Sequence, residues 1–169
     1  MPTVTLADQM LLHISTSKSA AISTLSAGKS KYPFPTAQLL QQIVSDRLLL
    51  AGGHLRAGDA LLFASQYRSA ISRFYYAMYQ AARAIAFAET KGDDHERHNV
   101  LPRKLPEGID NPAVREAELV EARLLRNQAD YDVYPINESD WEGEARALSA
   151  TAATFVQTCE SFALTNGHI

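Results

Sequence analysis

Apolar residues return at intervals of three and four along most of this chain, and no stretch alternates with the period of two that a half-buried strand requires. The pattern predicts an all-α protein: an up-and-down bundle of four to five helices with an extra helical segment at its N-terminus. In that first segment Leu6, Met10, Ile14 and Leu25 are only loosely helical in spacing and sit among many Ser and Thr residues, which reads as an oligomerisation arm or a partly mobile stretch. Gly28 to Pro35 reads as a linker, because Pro33 and Pro35 lack the backbone donor a helix interior needs and Gly28 suits a helix C-terminal turn. The expected division is therefore an arm and linker over residues 1–35 and a bundle over residues 36–165.

Within the bundle, Leu39, Leu40, Ile43, Arg47 and Leu50 describe a helix that meets Gly52-Gly53, where a kink or break is expected before Leu55, Leu61, Leu62 and Phe63 resume the apolar surface. A turn near Ser65-Gln66 leads into a central helix from about Tyr67 to Thr90. Its Tyr67, Ile71, Phe74, Met78, Ala82 and Ile85 form a packing stripe, and Arg73, Tyr76, Gln80 and Arg83 form a second, polar stripe free to bind. A loop broken by Pro102, Pro106 and Gly108 carries His95 and His98. Asn111-Pro112 then reads as an N-cap and first helical residue, starting a helix that turns Val114, Ala117, Val120 and Leu124 inward and delivers Arg126. After Tyr134-Pro135, a capping box over Ser139–Glu142 opens the last helix, with Trp141, Ala145, Leu148, Ala152, Phe155, Cys159 and Phe162 on its buried side.

Composition narrows the function classes. With 169 residues, 46% of them apolar, the chain can close a hydrophobic core without staples. The single Cys159 cannot form an internal disulfide, no secretory pattern opens the chain, and no apolar run is long enough to span a bilayer; a cytoplasmic protein without a membrane role is expected. A net charge of −3 draws no nucleic acid globally, so any RNA contact must come from a local patch or a dimer groove.

Two stretches hold the candidate chemistry. Arg126-Asn-Gln-Ala-Asp-Tyr131-Asp132 strings a guanidinium, an amide, a carboxylate and a phenol across a helix end. Arg126 and Asp130 are four apart and share a face; Asn127 and Tyr131 are likewise aligned, whereas Arg126 and Tyr131 differ by about 140° and meet only if the helix distorts. Such a group can grip a phosphate, the alternative being an Arg126–Asp130 pair that merely supports a helix end. In Tyr67-Arg-Ser-Ala-Ile-Ser-Arg-Phe-Tyr-Tyr-Ala-Met-Tyr79, the tyrosines can stack bases or fill the core, with Tyr76 the one placed to face a groove and Arg73 and Arg83 placed to neutralise phosphates. His95 and His98 lack a second ligand pair for a metal and are candidates for acid/base help to a phosphate; no metal and no cofactor are expected.

Together these two motifs resemble the HEPN family (higher eukaryotes and prokaryotes nucleotide-binding), in its prokaryotic toxin or defence branch. The resemblance covers about Thr36 to Phe162. It implies a dimeric bundle of four or five helices and a metal-independent endoribonuclease of a toxin–antitoxin or defence system, built on an arginine, a polar residue and then a histidine, two copies meeting across the dimer. Arg126 and Asn127 match the first two, and Tyr131 stands in the range where the histidine is expected. The resemblance further implies RNA or nucleotide binding by Arg73, Tyr76, Arg83, His95, His98 and Asp130 around a catalytic set of Arg126, Asn127 and Tyr131. It also implies a nucleotidyltransferase antitoxin as partner, for which Tyr131 and Tyr134 are the candidate modification sites. The alternative is a non-catalytic module that binds a nucleotide or docks that partner, because a phenol, with a pKa near 10, is a poorer base than an imidazole at neutral pH.

Overall fold

The computed structural model describes residues 3–26 and 34–169. It is all-helical among those residues: α1 (Leu6–Ser15), α2 (Ser19–Ser26), α3 (Thr36–Phe63), α4 (Tyr67–Thr90), α5 (Pro112–Tyr131) and α6 (Glu142–Thr165), with short 3-10 turns over Leu101–Lys104 and Glu138–Trp141. Most of the expected linker, including Gly28 and Pro33, lies outside the described residues; Pro35 immediately precedes α3.

α4 is the axis of the molecule and packs against α3, α5 and α6. Fifteen of its 24 residues are buried, so its burial runs nearly all the way round instead of along one stripe. Seven of the fifteen are alanines, whose small side chains let the neighbouring helices come close on several sides. Only Ser69 and Arg73 near its start and a half-buried row through Tyr76, Gln80 and Arg83 reach the surface along the polar stripe. The expected stripe of α6 is buried from Trp141 to Phe162.

Several local expectations are corrected. α3 runs unbroken through Gly52-Gly53. Two glycines weaken a helix by about 1 kcal/mol each, and burial of Ile43, Val44, Leu48 and Ala51 on the same helix outweighs that. The glycine that matters is Gly58, where a Cβ would lie 2.5 Å from the Phe74 ring; its bare backbone is what lets α3 and α4 meet. Leu50 and Phe63 face solvent, Phe63 almost completely at 94% exposure.

α5 shows the largest departure. Val114, Ala117 and Leu124 are exposed and Val120 is only half-buried, while Arg115, Leu119, Ala122 and Ala129 face the core. Two arginines, Arg115 and Arg126, belong to the core-facing row, and Arg115 is made tolerable there by Glu118 at 2.8 Å. Asn111 does precede the first helical proline, but it holds a left-handed conformation (φ 52°) and makes no side-chain cap. No capping box forms at Ser139; Glu138–Trp141 winds as a 3-10 turn instead, and the Trp141 indole donates to the Pro135 carbonyl at 3.0 Å.

The N-terminal segment is two short helices rather than one, and it lies on the bundle. Ile14 and Ile22 are each 2% exposed and join the main core. Thr5 and Asp8 form a reciprocal capping box that starts α1.

Candidate phosphate-binding site

The site begins with the loop after α4, which the N-terminal segment holds in place. Lys91 ends α4 in the left-handed region (φ 56°), and Gly92 then passes so close to α2 that a Cβ would lie 2.1 Å from the Ser19 nitrogen. The Asp93 backbone N–H donates to Ser17 O at 2.8 Å, and Lys18 Nζ donates to Asp93 O at 2.6 Å and to Glu96 at 2.5 Å. The Asp93 side chain is 4% exposed and accepts from Arg83 through Nε at 2.8 Å and through Nη2, with Arg47 Nη2 at 3.5 Å. Arg47 also donates to Ser15 O at 2.6 Å.

Two cations therefore share one buried carboxylate. Burial, with Arg83 alongside, holds the Arg47 guanidinium down at about 10. Burial also pulls on Arg83, but its hydrogen bond to Asp93 leaves it above the usual arginine value. This answers the expectation for Arg83: its charge is engaged by Asp93 rather than free for a phosphate.

From this anchored start the loop carries His98 onto α4. Its imidazole stacks on Tyr79 (centroids 4.1 Å apart, 13° between planes), its Nδ1 meets the Tyr75 hydroxyl, and its ring is nearly perpendicular to that of Tyr76, with centroids 6.3 Å apart and 81° between planes. Tyr79 in turn donates to Glu96 O at 2.6 Å. Tyr75 and Tyr79 thus serve as core and platform together. Burial pushes both phenols above their ordinary range, so both stay protonated.

α5 supplies the other half. Arg126 lies between two rings, its guanidinium carbon 5.3 Å from the centroid of Tyr76 and 5.3 Å from that of Tyr131. Its Nη2 donates to the Tyr76 hydroxyl at 3.0 Å, its Nη1 to Asn127 Oδ1 at 3.2 Å, and its Nε sits 2.6 Å from Asp130. Burial would lower the Arg126 pKa, but Asp130, Tyr76 and Tyr131 hold it above the usual value. Arg126 and Tyr131 meet although α5 stays helical through Tyr131, because two long side chains span the angular offset that the backbone direction imposes. Asp130 also accepts from Ser72 at 3.3 Å, which ties the α5 end to α4.

The structure thus gathers Tyr76, His98, Arg126, Asn127, Asp130 and Tyr131. It leaves Arg73 exposed at the margin, Tyr134 on the surface at 78% exposure, and His95 outside the cluster. Three residues not singled out in the sequence belong with the site. His54 of α3 lies 5.8 Å from the Tyr76 ring, its pKa lowered by burial and by Arg73. Arg123, one turn before Arg126, has a buried Nε without a hydrogen-bond partner, and its charge reaches both Tyr75 and His98. Arg68 closes the C-terminal end of α5, donating to Ala129 O at 2.7 Å and to Asp132 O, while its guanidinium lies 5.0 Å from the Trp141 ring. Only Arg123 carried a hint in the sequence, as a second arginine three residues before Arg126.

The His98 pKa is lowered, first by burial and then by Arg126, Arg123 and Arg83. Arg123 and Arg126 thus stand against the single carboxylate of Asp130 beside a neutral imidazole, and the cluster keeps a surplus of positive charge and of N–H and O–H donors. That balance suits an oxyanion. Among the described residues, no group of three or more His, Cys, Asp or Glu side chains gathers to hold a metal ion, and no helix is long and apolar enough to cross a membrane. No protein-family model, curated protein or solved structure matches this chain.

Proposed function

We propose that this protein is a HEPN-type module that binds an RNA or nucleotide phosphate at Arg126, with Tyr76, Asn127 and Tyr131 around it. The observation that carries the reading is the charge imbalance at the junction of α4, α5 and the His98 loop: two arginines against one carboxylate. A guanidinium is a rigid multi-donor partner for a phosphate, and the rings flanking it offer faces on which a base can stack. Donors outnumber free bases here, so binding comes before chemistry in this reading.

Metal-independent cleavage is the second reading, favoured by the imidazole that the loop brings into the cluster. In that reaction the 2′-oxygen of the RNA attacks phosphorus, its proton leaves to a base, the bond from phosphorus to the 5′-oxygen breaks, and that oxygen takes a proton. A cyclic phosphate and a 5′-hydroxyl result. We place the protein in a prokaryotic toxin–antitoxin or defence setting as a dimer, with a nucleotidyltransferase as partner. Tyr131, 71% exposed, and Tyr134 are the accessible phenols for its modification.

The test is anisotropy of labelled single-stranded RNA in chelator, across salt concentrations. Arg126→Ala is expected to weaken binding about tenfold or more, as loss of a charge-assisted contact does, and to flatten the salt dependence. The same samples on a denaturing gel read cleavage. Binding that Arg126→Ala leaves intact refutes the site, and cleavage that survives it refutes the second reading.

A further inference from the structure

The loop after α4 brings an imidazole, that of His98, onto Tyr75 and Tyr79 beside the Arg126 cluster. Tyr75 is 1% exposed, and among the described residues its one hydrogen-bond contact is His98 Nδ1. A buried hydroxyl that stays protonated must donate its hydrogen, and Nδ1 can accept only if the ring proton is on Nε2. One face of the ring lies flat on Tyr79 and the Nδ1 edge is turned inward to Tyr75, while the residue as a whole is exposed. The opposite edge therefore carries Nε2–H, on an imidazole whose centroid lies 6.3 Å from that of Tyr76, the ring whose hydroxyl accepts from Arg126.

We propose that His98 is a further ligand of the oxyanion held at Arg126, donating through Nε2–H from a tautomer that Tyr75 fixes as a positioning residue. The inference rests on the phosphate reading of the site and adds to it a residue from a different element.

The groups facing His98 are Tyr75, Tyr76, Tyr79 and Arg83 of α4, Arg123 and Arg126 of α5, and Glu96 of its own loop with Lys18 beyond it; His54 of α3 lies behind Tyr76. Arg126, Arg123 and Arg83 repel a proton from the ring. A bound anion offsets them, so ligand binding is expected to raise the pH at which His98 takes up its second proton. Protonation also costs the Tyr75 contact, since Nδ1 then becomes a donor and the phenol loses its acceptor.

The experiment uses the full chain and a short 2′-O-methyl RNA, which presents phosphodiesters but cannot undergo 2′-hydroxyl attack. Side-chain nitrogen NMR is expected to show His98 with a protonated Nε2 and an unprotonated Nδ1, giving way to a tautomer mixture in Tyr75→Phe. At pH 7.5 His98→Gln is expected to weaken the RNA about three- to tenfold, the range of one neutral hydrogen bond. The His98 titration midpoint is expected to rise on saturation with RNA, a measurement that needs no variant; His54→Asn, with its ring removed, should leave that rise in place. Binding that Arg126→Ala abolishes but His98→Gln leaves unchanged, with an unmoved His98 midpoint, overturns this inference alone. RNA that fails to bind the wild-type chain overturns the phosphate reading itself.

Discussion

Replacing Asp93 by alanine removes the carboxylate that, among the described residues, joins two guanidiniums, and the structure sets the size of the effect. The Asp93 side chain is 4% exposed and that of Arg47 is 9% exposed, with 3.5 Å between the nearest nitrogen and oxygen. At that distance, and with an effective dielectric constant of about 20, the gross attraction is about 5 kcal/mol. Arg83 is 19% exposed and can turn partly to water, but Arg47 cannot, and among the described residues Ser15 O is its other acceptor. Breaking a buried pair by removing one partner costs about 3–5 kcal/mol, and about 4 kcal/mol is expected here, a large part of a stability of about 5–15 kcal/mol.

Urea unfolding followed by circular dichroism and by the fluorescence of Trp141, the single tryptophan, reads the loss. Adding Arg47→Met to Asp93→Ala should recover at least half of it, because the second change removes the unpaired charge and keeps the buried stem. A loss below about 1 kcal/mol, or a double variant no better than the single one, would refute the idea that Arg47 depends on Asp93.

Gly58→Ala pushes a methyl into the Phe74 ring at 2.5 Å and should cost about 1–3 kcal/mol, read as a lower urea midpoint. Gly92→Ala cannot be relieved by a rotamer, since the clash is with Ser19 backbone at 2.1 Å; faster proteolysis after Lys18 should report release of α1 and α2 from the loop. His54 and His98 both have pKa values below the ordinary imidazole value of 6.5, so the fold prefers them neutral. Their contribution is complete above pH 6.5 and is lost as pH falls through their lowered values. Unfolding free energy measured between pH 7.5 and 5 should therefore decline, and decline less in His98→Gln. Tyr76→Phe removes the hydroxyl that accepts from Arg126 at 3.0 Å and keeps the ring; a threefold to tenfold change in RNA affinity is expected, and no change would remove that contact from the site.

The helices that pack mainly by apolar side chains were the most readable from the chain. α4 and α6 have long apolar rows, whose spacing gave the extent of α4 and the buried side of α6, while the burial of α4 runs further round than its stripe. α5 misled because its core-facing row includes Arg115 and Arg126: Arg115 pairs with its near neighbour Glu118, but the Tyr76 partner of Arg126 comes into view only in three dimensions. Gly52-Gly53 misled in the other direction, local weakness being overridden by burial of the helix that contains it. At the site, Arg126, Asn127, Asp130 and Tyr131 are close in sequence and were visible as a group. His98, His54 and Arg68 come from other elements, and nothing in local spacing records that the loop after α4 folds back over Tyr75 and Tyr79. Asp93, on which that path depends, is one acidic residue among three in Asp93-Asp94-His95-Glu96.

The docking of α1 and α2 changes where this protein can be cut. The hydropathy pattern invites a fragment that starts at Thr36, yet that fragment would lack the Ser17 carbonyl, the ammonium of Lys18 and the Ser19 amide that moor Asp93, Asp94 and Glu96, and the Ser15 carbonyl that holds Arg47 beside them. Its helices could all form while the imidazole drifted from its berth, leaving a well-folded protein with a disarranged pocket. Evolution at these first residues would be felt some seventy-five positions downstream, and the amino-terminal helices are better regarded as a distant wall of the pocket than as an appendage.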